Sequence, residues 1–226
     1  MFTKSKRQPR TSFQTARASG GSWQAVVALW LSVTACGSDV APVGSTSEEL
    51  RRCRPANGVT LGTDEEIQSF AGCQVLEGSL QVNHIVTDLS PLSSLKVIEG
   101  SISGGGYRFK PFSLDALENL EVVGEDLRFH NDNVTSFQGI AKVHTVGGGL
   151  NLNSVPDLED LRGLEKVRTL KSLRIAYNPK LQTLAGLDGL EAVEGDVYIK
   201  GNEVVPVAEI DALLARIQVG GTIQRD

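Results

Sequence analysis

Apolar residues recur along the chain from Cys73 onward in a repeat of about two dozen residues. Each copy begins with glycine or a substitute and a small or acidic residue, followed by Leu, Ile or Val, any residue, and a second apolar residue. Clear copies read Gly78-Ser-Leu-Gln-Val82 and Gly148-Gly-Leu-Asn-Leu152. Alternation of apolar and variable residues is typical of a strand with one buried side, so each copy predicts a short strand. The first apolar anchors of the copies are Leu80, Ile102, Leu127, Leu150, Leu173, Val197 and Ile223.

A second phrase lies between the predicted strands and places Leu-like residues at every third position, which suits a 3₁₀-like or extended turn with one inward face. Its copies are Leu89/Leu92/Leu95, Leu114/Leu117/Leu120, Phe137/Ile140/Val143, Leu158/Leu161/Leu164 and Leu184/Leu187/Leu190. Neither phrase buries its apolar side alone, so we expect stacked repeats with parallel strands about 4.8 Å apart. We also expect positive φ at the glycine before each strand. The pattern predicts a mainly β, leucine-rich-repeat-like solenoid of about six to seven rungs.

Two segments are predicted to be short helices that cap the stacked repeats. Thr63-Asp-Glu-Glu66 is a capping box, and its helix is expected to run through Phe70. Pro206–Ile217 has proline in its first turn and one apolar stripe. That stripe consists of Ile210, Leu213, Leu214 and Ile217.

The N-terminal segment has the features of an export signal. Residues 1–35 hold five bases and no acid, and Trp23–Ala35 is an apolar run of 13 residues. A bilayer span needs about 20 residues, so this run predicts a signal peptide. Val33-Thr-Ala-Cys36 resembles the bacterial lipobox, which implies cleavage before Cys36, acylation of that residue, and anchoring in the cell envelope. The alternative is an ordinary signal peptide cut near Ala35, with Cys36 free.

Residue 37 is glycine, which favours the outer membrane under the sorting rule for Gram-negative lipoproteins. We divide the chain into a lipoprotein signal peptide at 1–35, a flexible tether at 36–52 and a repeat domain at 53–226. After the five N-terminal bases, 17 bases and 27 acids remain, a net charge of −10. So acidic a body is repelled by nucleic acid, which we exclude as a partner.

Two further cysteines, Cys53 and Cys73, form an even pair in an exported chain and predict a disulfide. The alternative is a pair of reduced, buried thiols. No histidine pair lies near them in the sequence to complete a zinc site, so we expect no metal. The chain also lacks the Gly-x-Ser-x-Gly, P-loop and His-Glu-x-x-His motifs, and we expect neither a cofactor nor catalytic residues.

Two surfaces are candidates for ligand binding. Residues between the inward strand positions must face outward, and three of them, Arg128, Arg174 and Tyr198, suit an acidic or sugar ligand. The alternative is a merely solvated sheet face. The segment Gly104–Phe112 breaks the repeat, and Tyr107, Arg108 and Phe109 within it have the composition of an interface hot spot. The alternative is that Phe109 and Phe112 pack into the core.

The segment Cys73-Gln-Val-Leu-Glu-Gly-Ser-Leu-Gln-Val82 resembles the opening strand of the receptor L domain, a module of the insulin and epidermal growth factor receptors. The preceding short helix, the Leu-x-x-Leu-x-x-Leu spacer and the Val-x-Gly-x-Leu-x-Ile phrase resemble that family too. The resemblance covers residues 53–226 and implies a right-handed single-stranded β-helix. It also implies a binding or adhesion module that holds its ligand on one sheet face.

These features predict a non-enzymatic, lipid-anchored interaction module of the cell envelope that binds an unknown protein or glycan. Two alternatives remain open. One is a structural envelope lipoprotein without a discrete ligand. The other is a polysaccharide-processing β-helix enzyme, which would need paired carboxylates across a cleft. The acids Glu77, Glu99, Asp126 and Asp196 recur regularly before the strands, as a structural repeat would place them.

Overall fold

The computed structural model describes residues 49–55, 60–82, 86–105 and 112–226. The predicted signal peptide, Cys36, and Tyr107, Arg108 and Phe109 of the predicted binding segment lie outside the described residues. The described chain is mainly β, with parallel sheets and few helices. No described helix has both the length and the apolar character needed to cross a membrane.

The strands in the described residues are two to four residues long and form three parallel sheets. Their bounds are β1 Arg52–Cys53, β2 Thr60–Leu61, β3 Val75–Leu76, β4 Ser79–Val82, β5 Val97–Ile98, β6 Ile102–Gly105, β7 Val122–Val123, β8 Leu127–His130, β9 Thr145–Val146, β10 Leu150–Asn153, β11 Thr169–Leu170, β12 Leu173–Ala176, β13 Ala192–Val193, β14 Val197–Lys200, β15 Gln218–Val219 and β16 Ile223–Arg225. The even-numbered strands form the eight-stranded sheet, in the order β16-β14-β12-β10-β8-β6-β4-β2. The odd-numbered strands form a five-stranded sheet, β1-β3-β5-β7-β9, and a three-stranded sheet, β11-β13-β15.

The register of the eight-stranded sheet confirms the spacing of the predicted anchors. Leu80 pairs with Ile102 and Ile102 with Leu127, and the series continues without a slip to Val197 and Ile223. The sheet also contains β2, in which Leu61 pairs with Leu80. This strand was not predicted, because the residue two places after Leu61 is not apolar but the threonine that caps the first helix.

The small or acidic residue before several strands of the eight-stranded sheet has the same structural role. The Ser79 hydroxyl accepts the backbone N–H of Ser101 at 3.1 Å, and the Ser101 hydroxyl accepts that of Asp126 at 3.3 Å. The Asp126 carboxylate in turn accepts the N–H of Gly149 at 2.6 Å. Each of these side chains therefore satisfies a backbone donor of the next repeat, which an apolar residue cannot do.

The prediction of positive φ at the glycines before the strands was wrong. None of them lies in the left-handed region, and the described glycines that do are Gly72, Gly163, Gly186 and Gly201. Lack of space explains the pre-strand glycine instead. A Cβ built on Gly100 would lie 2.3 Å from the Ser79 Oγ and 2.8 Å from the Gly78 carbonyl carbon. Close approach of the preceding repeat thus excludes any larger side chain there.

The apolar spacers fold as predicted in three repeats, as 3₁₀ helices at Ser90–Leu92, Asp115–Leu117 and Gln138–Ile140. In the fourth repeat the predicted frame was wrong by three residues. The N–H groups of Leu164 and Val167 donate to the carbonyls three residues before them, so the triplet begins at Leu161 and not at Leu158. Four buried residues at equal spacing allowed both frames in the sequence. Leu158 occupies the position that Leu181 holds in the next repeat.

A pair of buried asparagines links the last strands of the eight-stranded sheet. Asn178 and Asn202 follow β12 and β14 and are almost completely buried. The Asn178 Nδ2 donates to the Asn202 Oδ1 at 3.0 Å, and the Asn178 Oδ1 accepts the N–H of Val155 at 2.9 Å. The Asn202 Nδ2 donates to the Ile175 carbonyl at 2.9 Å. The two amides thus satisfy backbone groups that the end of each strand would otherwise leave buried.

Both predicted capping helices are present. Helix α1 spans Asp64–Ser69, and its capping box is complete: the Thr63 hydroxyl accepts the N–H of Glu66, and the Glu66 carboxylate accepts that of Thr63. The predicted disulfide is also confirmed, since Cys53 in β1 is bonded to Cys73, which follows α1. It fixes the first strand of the five-stranded sheet beside the helix.

Helix α2 spans Val207–Arg216 and packs onto the last spacer. Its Glu209 carboxylate accepts the N–H of Leu184 at 2.7 Å and the Thr183 hydroxyl at 2.5 Å. Its Arg216 guanidinium donates to carbonyl oxygens of the same spacer. The helix therefore takes the place of a spacer in the last repeat and satisfies the backbone groups of the spacer before it.

Candidate ligand-binding face of the eight-stranded sheet

The outward positions of the eight-stranded sheet form the column that the sequence predicted. In β12, Leu173 and Ile175 are buried while Arg174 between them is partly exposed, and β8 and β14 show the same alternation. The register places Asn151 between Arg128 and Arg174, and Arg174 beside Tyr198. The structure therefore brings two of the three predicted residues together.

Arg174 and Tyr198 make a direct contact. The Arg174 Cζ lies 4.1 Å from the centroid of the Tyr198 ring, and the Lys200 Nζ lies 5.8 Å from the same centroid. A guanidinium stacked on an aromatic face is attracted by the ring quadrupole and loses rotational freedom. This holds the guanidinium of Arg174 in one position with N–H groups at its edge.

Arg128 lies apart from this pair. It is separated from Arg174 by the strand β10, a distance of about 9.6 Å between strand axes at the usual spacing. Its guanidinium forms an ion pair with Asp126 of the same repeat. The positive charge of Arg128 is therefore already compensated within the chain.

The two cations beside Tyr198 are among those cations of the described residues that form no ion pair. Among the described residues, Arg128, Arg162, Lys180 and Arg225 form ion pairs, whereas Arg174 and Lys200 form none. The carboxylate of Asp226 lies on the same part of the surface, and its Oδ2 accepts the N–H of Gly201 at 2.6 Å. Two cations without ion-pair partners thus stand beside one partly exposed aromatic ring.

Tyr177 lies beside Arg174 and Tyr198 and was not predicted. It follows β12 directly, and its side chain is 53% exposed. Its φ is 57°, in the left-handed region that bulky residues rarely adopt. The equivalent residues after the neighbouring strands also have positive φ, and they are Asn131, Ser154 and Gly201. A tyrosine among these small residues is visible in the sequence only after the strand ends have been aligned.

The ring of Tyr177 lies against the neighbouring repeat. A Cβ built on Gly201 would lie 2.4 Å from the Tyr177 Cδ1, so the ring fills the space above that glycine. A hydrogen bond shared with the Tyr198 hydroxyl raises the pKa of Tyr177, and the charge of Tyr198 raises it further, while Arg174 acts in the opposite direction. Tyr177 is therefore a neutral phenol at physiological pH. We call Arg174, Tyr177, Tyr198 and Lys200 the tyrosine–arginine cluster.

A second polar site lies on the spacer side of the molecule. It is an open depression of about 620 Å³ lined by Thr135, Ser136, Gln138, Asp157, Glu159, Asp160, Arg162 and Lys180. Lys180 pairs with Asp157 at 2.7 Å and Arg162 with Asp160 at 2.5 Å. Burial alone would raise the pKa of Asp160, but the hydrogen bonds and charge of Arg162 outweigh it and lower that pKa. Asp160 is consequently an ionised partner of an arginine at neutral pH.

The segment that breaks the repeat is described only at its ends. Phe112 is partly buried, packs against the core, and lies 6.4 Å from Phe129 between ring centroids. Its bridge to Val134 links it to the next repeat. This contact agrees with the alternative that Phe112 packs into the core.

No protein-family model matches this chain, and no curated protein matches it.

Proposed function

We propose that this protein is an exported, lipid-anchored interaction module of the bacterial cell envelope, without enzymatic activity, that binds a protein or glycan. Its ligand contacts the exposed face of the eight-stranded sheet. The tyrosine–arginine cluster carries this proposal, because two cations without ion-pair partners lie there beside the partly exposed ring of Tyr198 and the exposed ring of Tyr177. Tyrosine and arginine are the side chains most often found at the centre of interfaces.

We also propose that the repeats wind into a right-handed single-stranded β-helix of the receptor L domain type. Each repeat contributes one strand to the eight-stranded sheet and most contribute one to a second parallel sheet, which supports this winding. Connections between parallel strands of one sheet are right-handed almost without exception. In such a solenoid the ligand face is a rigid surface set by the strand register.

A binding role is favoured over a glycosidase. A general acid of a glycosidase needs a raised pKa and a facing second carboxylate. In the open depression, Asp157 and Asp160 are engaged by Lys180 and Arg162, and the pKa of Asp160 is lowered. A purely structural envelope protein is the remaining alternative, and it gives no reason for an exposed tyrosine with positive φ.

Site-specific photocrosslinking on intact cells tests the binding role. A photoreactive amino acid replaces Gln224, which is exposed and pairs with Tyr198 in the sheet. The matched control replaces Gln182, which is exposed on the spacer side. We expect a discrete crosslinked envelope component from position 224 and none from position 182. The absence of a product from position 224, with the protein present at normal abundance, contradicts a ligand on this face.

Metabolic labelling tests the anchor separately. We expect the protein to incorporate a fatty-acid probe and to partition with membranes, and the Cys36→Ala variant to lose both properties. Two or three acyl chains, at about 0.8 kcal/mol per buried methylene, suffice for stable anchoring. Unlabelled wild-type protein in the medium identifies instead an ordinary signal peptide and a secreted domain.

A further inference from the structure

We infer that the tyrosine–arginine cluster is a subsite for a carboxylated sugar, so that the ligand of this protein is an acidic polysaccharide built from uronic acid units. This inference rests on the proposed function and specifies the chemical class of its ligand. Three observations lead to it: the conformation of Tyr177, the state of Arg174, and the polar character of the surrounding sheet face.

The conformation of Tyr177 indicates contact with a ligand. The same left-handed backbone is occupied by Asn131, Ser154 and Gly201 in other repeats, all residues that adopt it more readily. With its side chain 53% exposed, Tyr177 gains less from burial than a core residue would, so folding alone does not account for the choice. Strained residues of this kind concentrate at binding sites. A phenol ring presented on the surface offers an apolar face for the C–H face of a sugar ring.

The absence of an ion-pair partner for Arg174 among the described residues indicates that the ligand carries a carboxylate. Its guanidinium stacks on Tyr198, and within the described residues no carboxylate forms an ion pair with it. A stacked guanidinium retains planar N–H donors at its edge, which match the two oxygens of a carboxylate. Lys200, whose Nζ lies 5.8 Å from the same ring, supplies a second positive charge.

The negative net charge of the chain strengthens the preference of an acidic ligand for this site. The chain after residue 35 carries a net charge of −10, so a polyanion is repelled by most of the surface and attracted only where cations are uncompensated. Asp226 is the opposing group at this site, and its Oδ2 already accepts the N–H of Gly201. An acidic polymer therefore has one favoured point of attachment on the sheet face.

The neighbouring outward residues suit a sugar better than a peptide. Asn151 lies beside Arg174 in the register, and Asn153 donates to the His130 ring at 2.8 Å on the next outward row. Amides and imidazoles of this kind exchange hydrogen bonds with hydroxyl groups. Ala176 is the apolar outward residue nearest the cluster on the described sheet face, and it is fully buried.

Titration of the purified full chain with uronic acid oligomers tests the inference. The probes are oligogalacturonate, oligomannuronate and hyaluronan fragments, and the methyl ester of oligogalacturonate is the neutral control with the same sugar ring. We expect at least one acid to bind and its affinity to fall on addition of salt. For oligogalacturonate, the methyl ester should bind at least about tenfold more weakly, since a charge-assisted pair is lost.

Variants separate the subsite from general electrostatics. Arg174→Gln should weaken binding about tenfold or more, whereas Arg168→Gln, which removes the same charge from the three-stranded sheet side, should leave affinity within about twofold. Tyr177→Gly should weaken binding about fivefold through loss of the aromatic face, in protein whose circular dichroism spectrum matches that of the wild type.

Several outcomes overturn the inference. If none of the three acids binds while position 224 still crosslinks to an envelope component, the proposed function stands and the acidic sugar is wrong. If neither binding nor crosslinking occurs, the proposed function itself is wrong. Equal binding of the methyl ester, equal losses in the two arginine variants, or unchanged binding by Tyr177→Gly each remove the subsite.

Discussion

The buried amide of Asn178 gives the sharpest test of how the repeats are held together. Its side chain is fully buried, and its Oδ1 accepts the N–H of Val155 at 2.9 Å. Its Nδ2 donates to the Asn202 Oδ1 at 3.0 Å and to the Leu152 carbonyl at 3.4 Å. The change Asn178→Ala removes all three hydrogen bonds at once and leaves a small cavity.

The expected cost follows from these contacts. The N–H of Val155 loses its acceptor in a buried setting, which costs about 1–3 kcal/mol. The Asn202 Oδ1 keeps the backbone N–H of Asn178 at 3.2 Å, so the two donated bonds count at their ordinary net value of about 0.5–1.5 kcal/mol each. Asn178→Ala should therefore lower the free energy of unfolding by roughly 2–6 kcal/mol.

Urea unfolding followed by circular dichroism measures this change, with an unchanged m-value as the check on two-state behaviour. The matched control is Asn153→Ala, the same substitution at a strand end where the amide bonds to His130 near the surface; it should cost less than about 1 kcal/mol. A loss below about 1 kcal/mol for Asn178→Ala, or equal losses in the two variants, refutes the reasoning. A double-mutant cycle with Asn202→Ala then isolates the amide–amide bond.

Further predictions concern stability. Replacing Cys73 with serine opens a loop of 20 residues and should cost about 3 kcal/mol in urea unfolding; an unchanged midpoint would show that the bond does not constrain the unfolded chain. Gly124→Ala places a Cβ 2.0 Å from the Glu99 carbonyl oxygen and should cost about 1–3 kcal/mol, whereas Gly62→Ala, with its nearest atom at 3.4 Å, should be nearly neutral; similar midpoints in the two variants would contradict the packing argument. The Asp196 carboxylate accepts hydrogen bonds from the backbone N–H and the hydroxyl of Thr222, one repeat later, and these lower the pKa of Asp196. Its contribution to stability is thus present above the unfolded pKa of about 3.9 and lost as pH falls through the folded value. The stability gap between wild type and Asp196→Asn should close below about pH 4, and a gap independent of pH argues against the carboxylate.

The strand anchors were predictable because their signal is local. Buried residues alternate with exposed or partly exposed ones in β8, β10 and β14. The pairing of Leu127 with Leu150 follows from the recurrence of the same phrase one repeat later. The fourth spacer was not predictable by the same rule, since Leu158, Leu161, Leu164 and Val167 are equally spaced and all buried. The frame is shown by the backbone hydrogen bonds that Leu164 and Val167 donate within the spacer, and the residue pattern does not contain them.

The candidate site was predictable only in part. Arg174 and Tyr198 follow from the alternation in their strands, but the contact between them depends on a register that joins two repeats. Tyr177 lies outside any strand, and its significance is a backbone conformation rather than a residue pattern. The glycine prediction failed for a related reason, because the crowding at Gly100 comes from the preceding repeat and not from its own turn.

The contacts of α2 with the spacer of the preceding repeat have a consequence for how such chains change length. Glu209 and Arg216 bind mostly backbone groups of the spacer beneath them, which every repeat presents in similar form. The terminal helix therefore needs little from the identity of its neighbour. Copies can be duplicated or deleted ahead of it with little change to the helix, so the number of strands in the outward column can vary.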